Sequence, residues 1–188
     1  MHKRKFNTHD LVMVTLFTAI IVVLSQITIP LPLVPITGQT LAIGLAATIL
    51  GTKRGTIAVF VYLLMGAIGL PVYAQMTGGV GRIFGPTGGF LISFLPMAAI
   101  IGYTIEKNGL SLKNAFIANL IGTLLSLTIG TIWLKWIAHL SWIGAFSAGF
   151  LPFIIVGIVK SYLAAWIGVT ILKRLPHRYL LHKRHELI

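Results

Sequence analysis

One lysine in the middle of a long hydrophobic run is the residue whose position points most directly to chemistry. Lys160 lies in the run 150–175, which is long enough to cross a bilayer. At about 1.5 Å per helical residue it lies roughly 15 Å into that run, near the midplane. A charge at this depth costs at least about 2.5–3.5 kcal/mol and marks a functional site by default. The three acidic residues of the chain, Asp10, Glu106 and Glu186, are all at segment ends or in tails. We therefore expect Lys160 to meet an anionic or acceptor-rich solute.

A second cation, Arg82, lies in the glycine-rich stretch 71–89 between two hydrophobic segments. Glycine lets a backbone approach a bound molecule closely, and the arginine fork can hold a carboxylate through two N–H groups. Arg82 is interpreted either as a carboxylate contact or as an ordinary solvated charge of an outer loop. Lys135, by contrast, is near a segment end and is expected to reach the membrane interface with its amine.

The patterns needed for catalysis, metal binding or nucleotide binding do not occur. The chain has no cysteine, and therefore no disulfide, thiol nucleophile or cysteine metal site. It contains no GxxxxGK[ST], GxGxxG or HExxH motif. Three unpaired acids do not favour carboxylate acid–base catalysis. We predict that the protein is not an enzyme and needs neither a cofactor nor a metal.

Composition places these residues in a membrane protein. Of the 188 residues, 56% are hydrophobic and 10% are charged, against about 25% charged in soluble domains. The mean hydropathy is +0.94. A net charge of +12 would suggest nucleic acid in a soluble protein, but here the cations lie in short loops and tails, where they set membrane topology. The chain is predicted to be one integral membrane domain, 1–188, in contact with lipid and not with nucleic acid.

Six hydrophobic segments predict an all-α, polytopic protein with six transmembrane helices. The second segment is shorter than the roughly 17 residues of a usual span, so a tilted, partly buried or re-entrant helix is possible there. The positive-inside rule favours six spans with both termini in the cytoplasm, because five spans would put later basic loops outside. The predicted spans cover about residues 10–29, 38–50, 55–70, 87–105, 112–140 and 150–175.

This topology leaves three loops, 30–39, 71–89 and 141–149, on the outer face. The helices that follow them begin there, and their unpaired N–H groups and positive dipole ends face outward. Together with Arg82 and Lys160, these helix starts predict an electropositive outer cavity for an anionic group.

Small residues recur four positions apart in three segments and allow helices to approach closely. These are Gly122, Ser126 and Gly130 on the fifth segment, Ser161 and Ala165 on the sixth, and Thr15 and Ala19 on the first. The stripes indicate packing within the chain. On the first helix, the alternative is docking of another membrane protein.

Three motifs in a characteristic order resemble the BioY family: VPITGQT (34–40), GLPVYA (69–74) and GPTGGF (85–90). The resemblance covers about residues 11–171. BioY proteins are the biotin-binding subunits, or S-components, of energy-coupling-factor (ECF) transporters. The resemblance implies a six-helix protein of the bacterial plasma membrane that captures biotin at the outer face. Uptake would then be driven by a transmembrane coupling protein and a pair of cytoplasmic ATPase subunits, in keeping with the missing nucleotide motif.

The resemblance also implies a set of pocket residues. The family commonly carries an acid three residues before the lysine, where this chain has Gly157. Its absence removes an acceptor for the ureido N–H groups of biotin, and Gln75 and the 71–89 backbone are candidate replacements.

Five further positions are candidate ligand contacts, each with a structural alternative. Tyr73 and Phe90 are predicted to pack on a bicyclic ring, or to belong to an interfacial aromatic belt. Thr37 and Gln39 are predicted to contact the ligand or to cap the second helix. Gly88 is predicted to contact the ligand or to allow close helix packing.

A partner surface is placed on the first helix, where related subunits often have an Ala-x-x-x-Ala pattern for docking. In this chain the corresponding face is Thr15, Ala19 and Val23. Two alternatives stay open. Because of Gly157, the ligand could be a different small carboxylate vitamin. The chain could also be a non-transport assembly protein of the membrane whose Lys160 meets an acid of its partner.

Overall fold

The computed structural model describes residues 7–174, and most of them are helical. A two-residue antiparallel hairpin, β1 (Thr28–Ile29) with β2 (Ile36–Thr37), and a 3-10 turn (Ala74–Met76) accompany the helices. The helices are α1 (Thr8–Ser25), α2 (Gln39–Ala67), α3 (Val80–Phe84), α4 (Gly88–Asn108), α5 (Leu112–Ile137), α6 (Trp142–Gly149) and α7 (Leu151–Arg174).

Local sequence explains where several helices begin. Asn7 and Asp10 form a reciprocal capping box at the start of α1. Ser111 caps α5 and Ser141 caps α6, each accepting a hydrogen bond from a backbone N–H three residues on. Such caps satisfy N–H groups that have no partner inside the helix.

The helix α2 is a hairpin of two antiparallel halves, 39–50 and 52–67. Gly51 breaks it with φ 76° and ψ −171°, a backbone region open almost only to glycine. Gln39 Nε2 donates to the hydroxyl of Tyr62 over 2.6 Å, although the residues are 23 positions apart. A straight helix would separate them by roughly 35 Å. The chain therefore reverses at Gly51.

The first half of α2 corresponds to the short second segment predicted from the sequence. At about 1.5 Å per residue it is roughly 18 Å long, less than the ~30 Å of a bilayer core. Within residues 7–174, five helical stretches are long and apolar enough to cross a membrane: α1, α2, α4, α5 and the α6–α7 pair. The prediction of a mostly helical membrane protein is confirmed. Because Gly51 divides α2, the described bundle has six helical segments besides the short α3 and α6, and the first half of α2 is the shortest of the six.

Residues with small side chains allow these helical segments to pack closely. The hairpin α2 lies between α1, α4 and α7, and α5 packs on α4 and α7. A side chain at Gly122 of α5 would meet Ile101 of α4, and one at Gly130 would meet Phe90. Ser126 hydrogen-bonds Ser93 of α4 over 2.6 Å. The small-residue stripe on α5 thus lies against α4, within the chain.

The bundle has two chemically different ends. At the Gly51 end, the start of α1, the turn of α2 and the end of α4 meet. Arg54 pairs with Asp10 at 2.8 Å, and Glu106 accepts the N–H of Thr52 at 2.9 Å. The opposite end carries the segments 26–38 and 68–87 together with α6. The predicted cytoplasmic termini, 1–6 and 175–188, lie outside the described residues.

The loop segments contain more structure than the sequence suggested. The stretch 71–89 includes the 3-10 turn and α3, and most of 141–149, expected to be a loop, forms α6. The cap at Ser141 and the apolar run that follows it account for α6. The strand β2 lies within the first predicted loop, whereas β1 takes the last two residues of the predicted first span 10–29, which ends as a helix at Ser25. The pairing brings Thr37 beside Thr28.

Candidate ligand-binding site

A cavity of about 230 Å³ opens among the loops at the end of the bundle opposite Gly51. Its walls come from the segment 31–40, the loop 73–87, and the facing sides of α4, α5 and α7. Seven residues proposed from the sequence line it: Thr37, Gln39, Tyr73, Gln75, Arg82, Phe90 and Lys160.

Lys160 reaches this cavity from α7 and binds a neutral acceptor. Its Nζ donates to the backbone carbonyl of Thr37 over 2.6 Å. Among residues 7–174, the structure shows no ion pair between Lys160 and a carboxylate. An ammonium has three donors, and a single carbonyl dipole does not neutralise its charge. The lysine therefore keeps hydrogen-bonding capacity for a ligand.

The Thr37 carbonyl, which accepts the hydrogen bond of Lys160, is held in place by a chain of polar contacts. The hydroxyl of Thr37 donates to Gln39 Oε1 over 2.8 Å. Gln39 Nε2 in turn donates to the buried hydroxyl of Tyr62 over 2.6 Å. Both ends of the Gln39 amide are thus engaged within the protein, and the residue orients Thr37 and the start of α2.

Tyr73 contributes a ring to the cavity wall and uses its hydroxyl elsewhere. The side chain is 2% exposed, and its hydroxyl donates to Leu63 O over 2.7 Å. The ring packs on Gly66 and meets Tyr62 edge-on, with centroids 5.6 Å apart. Burial raises the pKa of Tyr73, which keeps the phenol neutral and a donor.

Arg82 and Gln75 are the exposed polar groups at the mouth of the cavity. Neither side chain has a hydrogen-bond or ion-pair partner within the part of the chain that the structure describes. Arg82 sits on α3 and also borders a second, open depression formed by the glycine-rich stretch 78–85. Gln75 has a left-handed backbone, with φ 61°. Both groups are free to contact an arriving solute.

An apolar wall and a polar floor complete the cavity, and sequence reasoning missed most of them. Phe90 packs on Gly130 and lies 6.3 Å from Phe153, centroid to centroid. Thr123 and Ser126 of α5 form the polar part of the floor. Ser126 belongs to the small-residue stripe on α5, the sequence signal that could have indicated it, whereas Thr123 lies outside that stripe, directly after Gly122. Phe153 carries no such signal.

Two predicted contacts, Gly88 and Gly157, are not on the cavity wall. Gly88 is the first residue of α4 and lies against the backbone of Ile83. Gly157 faces α5, where an added Cβ would lie 2.9 Å from the methyl of Thr123. Each glycine allows close packing behind the wall, and its contact with a ligand stays a prediction.

The predicted docking residues share one exposed face of α1. Thr15, Ala19 and Val23 are all exposed, and Val23 is 65% exposed. The opposite face of α1, with Phe17 and Ile21, is buried against α2.

Comparison with known proteins assigns the family. The profile of the BioY family matches residues 1–177. The chain belongs to the BioY family. The resemblance in the three sequence motifs is thereby confirmed.

Relatives of this BioY protein match over nearly their whole length. It is 43% identical to "Biotin transporter BioY2" of Lactococcus lactis subsp. cremoris over 169 residues, covering 90% of this chain and 93% of the relative. It is 39% identical to "Biotin transporter BioY" of Thermotoga maritima over 164 residues, covering 87% and 96% respectively.

A solved structure shares the fold. The crystal structure of the S-component for biotin from an ECF-type ABC transporter superposes with a TM-score of 0.85 at 28% identity. The match covers 92% of this chain and 95% of the other. The bundle described above is therefore the architecture of an S-component.

Proposed function

We propose that this BioY protein is the substrate-binding subunit of an ECF-type importer and that its substrate is biotin. The observation that carries the proposal is the cavity, in which Lys160 and Arg82 have no acidic partner in the described chain, within the fold of a biotin S-component. The names of its relatives, biotin transporters, support the same substrate.

The chemistry of biotin suits the distribution of groups around the cavity. Its carboxylate is proposed to lie near the exposed guanidinium of Arg82, where two N–H groups can hold it. Its ureido oxygen would accept from Lys160, and the ureido N–H groups would find acceptors at Gln75 and the polar floor. Phe90 and Phe153 offer apolar surface to the thiophane ring and the valeryl chain. An apolar cavity with a few convergent polar groups is typical of small-molecule sites.

We propose a topology of six crossings in the plasma membrane of a bacterium, with the cavity facing outward and the termini inside. The basic pairs near the Gly51 end, Lys53 with Arg54 and Lys107 with Lys113, support this orientation through the positive-inside rule. The energy for uptake would come from a coupling protein in the membrane and a pair of cytoplasmic ATPase subunits, because the sequence has no nucleotide-binding motif. The exposed face of α1 is the proposed contact with the coupling protein.

Calorimetric titration of the purified protein with biotin tests the substrate. We expect saturable binding at micromolar ligand or below. Biocytin, in which the carboxylate is masked as an amide, should bind more weakly if Arg82 holds that group. Absence of saturable binding would refute the proposal.

A different small carboxylate vitamin is the second candidate, favoured by Gly157 and by the lack of an acid on the described cavity wall. Lipoate, pantothenate and nicotinate compete with biotin in the same assay if this candidate is right. Tighter binding of one of them than of biotin would change the substrate and leave the S-component assignment in place.

A further inference from the structure

The loop that carries Tyr73 and Gln75 is fastened to the end of α1 by the side chain of Gln26. The amide nitrogen of Gln26 lies 3.2 Å from the carbonyl oxygens of both Val72 and Tyr73, to which it donates. Its amide oxygen accepts the backbone N–H of Met76 over 2.9 Å. One side chain therefore contacts the loop on both sides of Gln75.

The backbone between these contacts is in an unfavourable conformation. Gln75 and Met76 are consecutive and both left-handed, with φ 61° and 53°. A side chain with a Cβ disfavours this region, and such residues persist where surrounding contacts impose the conformation. The Gln26 amide spans both residues. It holds the carbonyl groups before them and the N–H of the second one.

A neighbouring side chain reinforces only one side of this arrangement. Ser25 Oγ donates to Val72 O over 2.7 Å and is within 2.8 Å of the Gln26 amide nitrogen, from which it accepts. It makes no contact with Met76. The loop also closes on itself, because Tyr73 N–H donates to Thr77 O over 2.9 Å. Only Gln26 provides both a donor and an acceptor to the loop from another element among the described residues.

We infer that Gln26 is a positioning residue for ligand retention. It holds residues 72–76 in the left-handed conformation that places Gln75 at the cavity mouth and Tyr73 in its wall, without touching the ligand. This inference rests on the proposed function, because biotin is the ligand whose retention is measured. Loss of the amide contacts lets the loop relax to ordinary backbone angles, and the cavity opens toward the solvent. The change should appear in the dissociation rate, because a relaxed loop does not slow the entry of the ligand.

The dissociation rate of biotin from Gln26→Leu tests the inference. Leucine has a similar volume and neither donates nor accepts. We expect dissociation to be about tenfold faster, because the loss of a hydrogen bond typically has an effect of this size. The association rate should be nearly unchanged. Gln26→Glu keeps the acceptor for Met76. Its dissociation rate should therefore lie between those of the wild type and Gln26→Leu. Ser25→Ala loses the hydroxyl that contacts Val72 and the Gln26 amide nitrogen. It leaves the contact of Gln26 with Met76 in place, so its effect should be smaller than that of Gln26→Leu.

Rescue by a second substitution separates positioning from a general loss of stability. Asparagine tolerates the left-handed region well, and Met76 is 68% exposed, so Met76→Asn favours the native loop without new packing. In the Gln26→Leu background it should slow dissociation again. In the wild-type background it should slow dissociation too, which keeps the test available if Gln26→Leu does not fold. Unchanged dissociation in Gln26→Leu, or no effect of Met76→Asn in either background, overturns the inference.

Amide hydrogen exchange of the ligand-free protein provides a readout that does not depend on the substrate. Peptides covering 72–77 should exchange faster in Gln26→Leu, while peptides of α2 and α4 keep their protection. If wild-type protein does not bind biotin but this local change is seen, the proposed substrate fails and the positioning role survives. If biotin binds and the loop keeps its protection in the variant, the role of Gln26 fails alone.

Discussion

At the scale of single residues, the hydrogen-bond partner of Lys160 determines which ligands the cavity attracts. Its amine rests on the carbonyl of Thr37 at 2.6 Å, and a carbonyl supplies a dipole without a negative charge. A neighbouring carboxylate would instead neutralise the charge of the ammonium. The present arrangement fixes the side chain and keeps its electrostatic attraction for an acceptor, as expected of an ionisable group retained inside a membrane protein.

The first prediction concerns this lysine. Lys160→Met keeps most of the side-chain volume and removes the donor. We expect biotin affinity to fall at least about tenfold, since a hydrogen bond from a charged group is worth roughly 1.5–3 kcal/mol. Calorimetry measures the change. The matched control is Lys135→Met, because Lys135 lies on the rings of Trp136 and Trp142, 4.1 and 4.8 Å from their centroids, away from the cavity wall. Equal losses in both variants would contradict the role of Lys160.

The second prediction concerns Gly157 and the residue it faces. Gly157→Ala would place a Cβ 2.9 Å from the methyl of Thr123, and Thr123 lines the cavity and bonds Ser161 over 3.0 Å. Overpacking of this kind costs typically about 1–3 kcal/mol, so thermal unfolding in detergent should shift to lower temperature. Biotin affinity should fall too, because Thr123 has to move.

A compensating substitution makes that prediction specific. Thr123→Ser removes the methyl and keeps the hydroxyl that bonds Ser161. The double variant should recover most of the stability lost in Gly157→Ala. Gly81→Ala is the control for adding a methyl, since a Cβ at that position would have no other atom within 4 Å. No recovery in the double variant would show that Thr123 is not the obstacle.

At the scale of elements, the reversal of α2 depends on Gly51. Its φ of 76° with ψ −171° belongs to a region that other residues avoid, and an added Cβ would lie 2.5 Å from Glu106 Oε1. The same carboxylate accepts the N–H of Thr52 and so caps the second half of the hairpin. Backbone angle and cap together fix the turn.

Gly51→Ala is the third prediction. The backbone cost is of order 1–3 kcal/mol, and displacement of Glu106 adds to it, so the melting temperature should fall clearly. Gly109→Ala is matched for the backbone, with φ 82° and ψ 159°, and has open space where the Cβ would be. Its destabilisation should therefore be smaller. If the two variants lose equal stability, the contact with Glu106 contributes nothing.

The long elements were predictable because each is an apolar run with a cap or a break at its ends. The runs near 112–140 and 150–175 correspond to α5 and α7, and glycine and basic residues between 50 and 55 divided α2 correctly into two segments. The hairpin β1–β2 and the helices α3 and α6 were not predicted. They are too short for periodicity to appear, and contacts such as that of Lys160 with Thr37 hold β2 from far along the chain.

The site residues likewise divide into those that the sequence could predict and those that it could not. Charge in an apolar setting singled out Lys160 and Arg82 without any structure. Gln26 gave no signal, because its contacts with the loop join positions 46 to 50 apart. Phe153 is one apolar residue among many in its run, and it meets Phe90 because α4 and α7 both pack on α5.

At the scale of the whole molecule, the charge distribution predicts the orientation. The acids Asp10 and Glu106 and the basic turn of α2 share the Gly51 end, and the cavity lies at the other. The chain has no cysteine, so single-cysteine variants report location cleanly. This is the fourth prediction. Val80→Cys, on α3, should react with a membrane-impermeant thiol reagent in intact cells, and Asn108→Cys, at the end of α4, only after permeabilisation. The reverse pattern would invert the topology.

The exposed face of α1 is the proposed contact surface for the coupling protein. Thr15, Ala19 and Val23 lie on one side of a helix that packs within the chain mainly on α2. Small side chains at positions 15 and 19 allow another helix to approach closely, which is how helices associate where lipid offers no hydrophobic drive. An aromatic residue in this stripe would hold the partner helix away.

Thr15→Trp is the fifth prediction, with Thr128→Trp as a closely matched control. Both threonines are exposed on long helices, and each donates its hydroxyl to the carbonyl four residues earlier, over 3.0 and 2.9 Å. Both variants should bind biotin as the wild type does, because neither residue lines the cavity. In cells that also produce the coupling protein and its ATPases, uptake of labelled biotin and co-purification of the coupling protein should fall severely for Thr15→Trp alone. Equal uptake by the two variants would remove the docking surface from α1, whereas equal loss would point to a general effect of the added bulk.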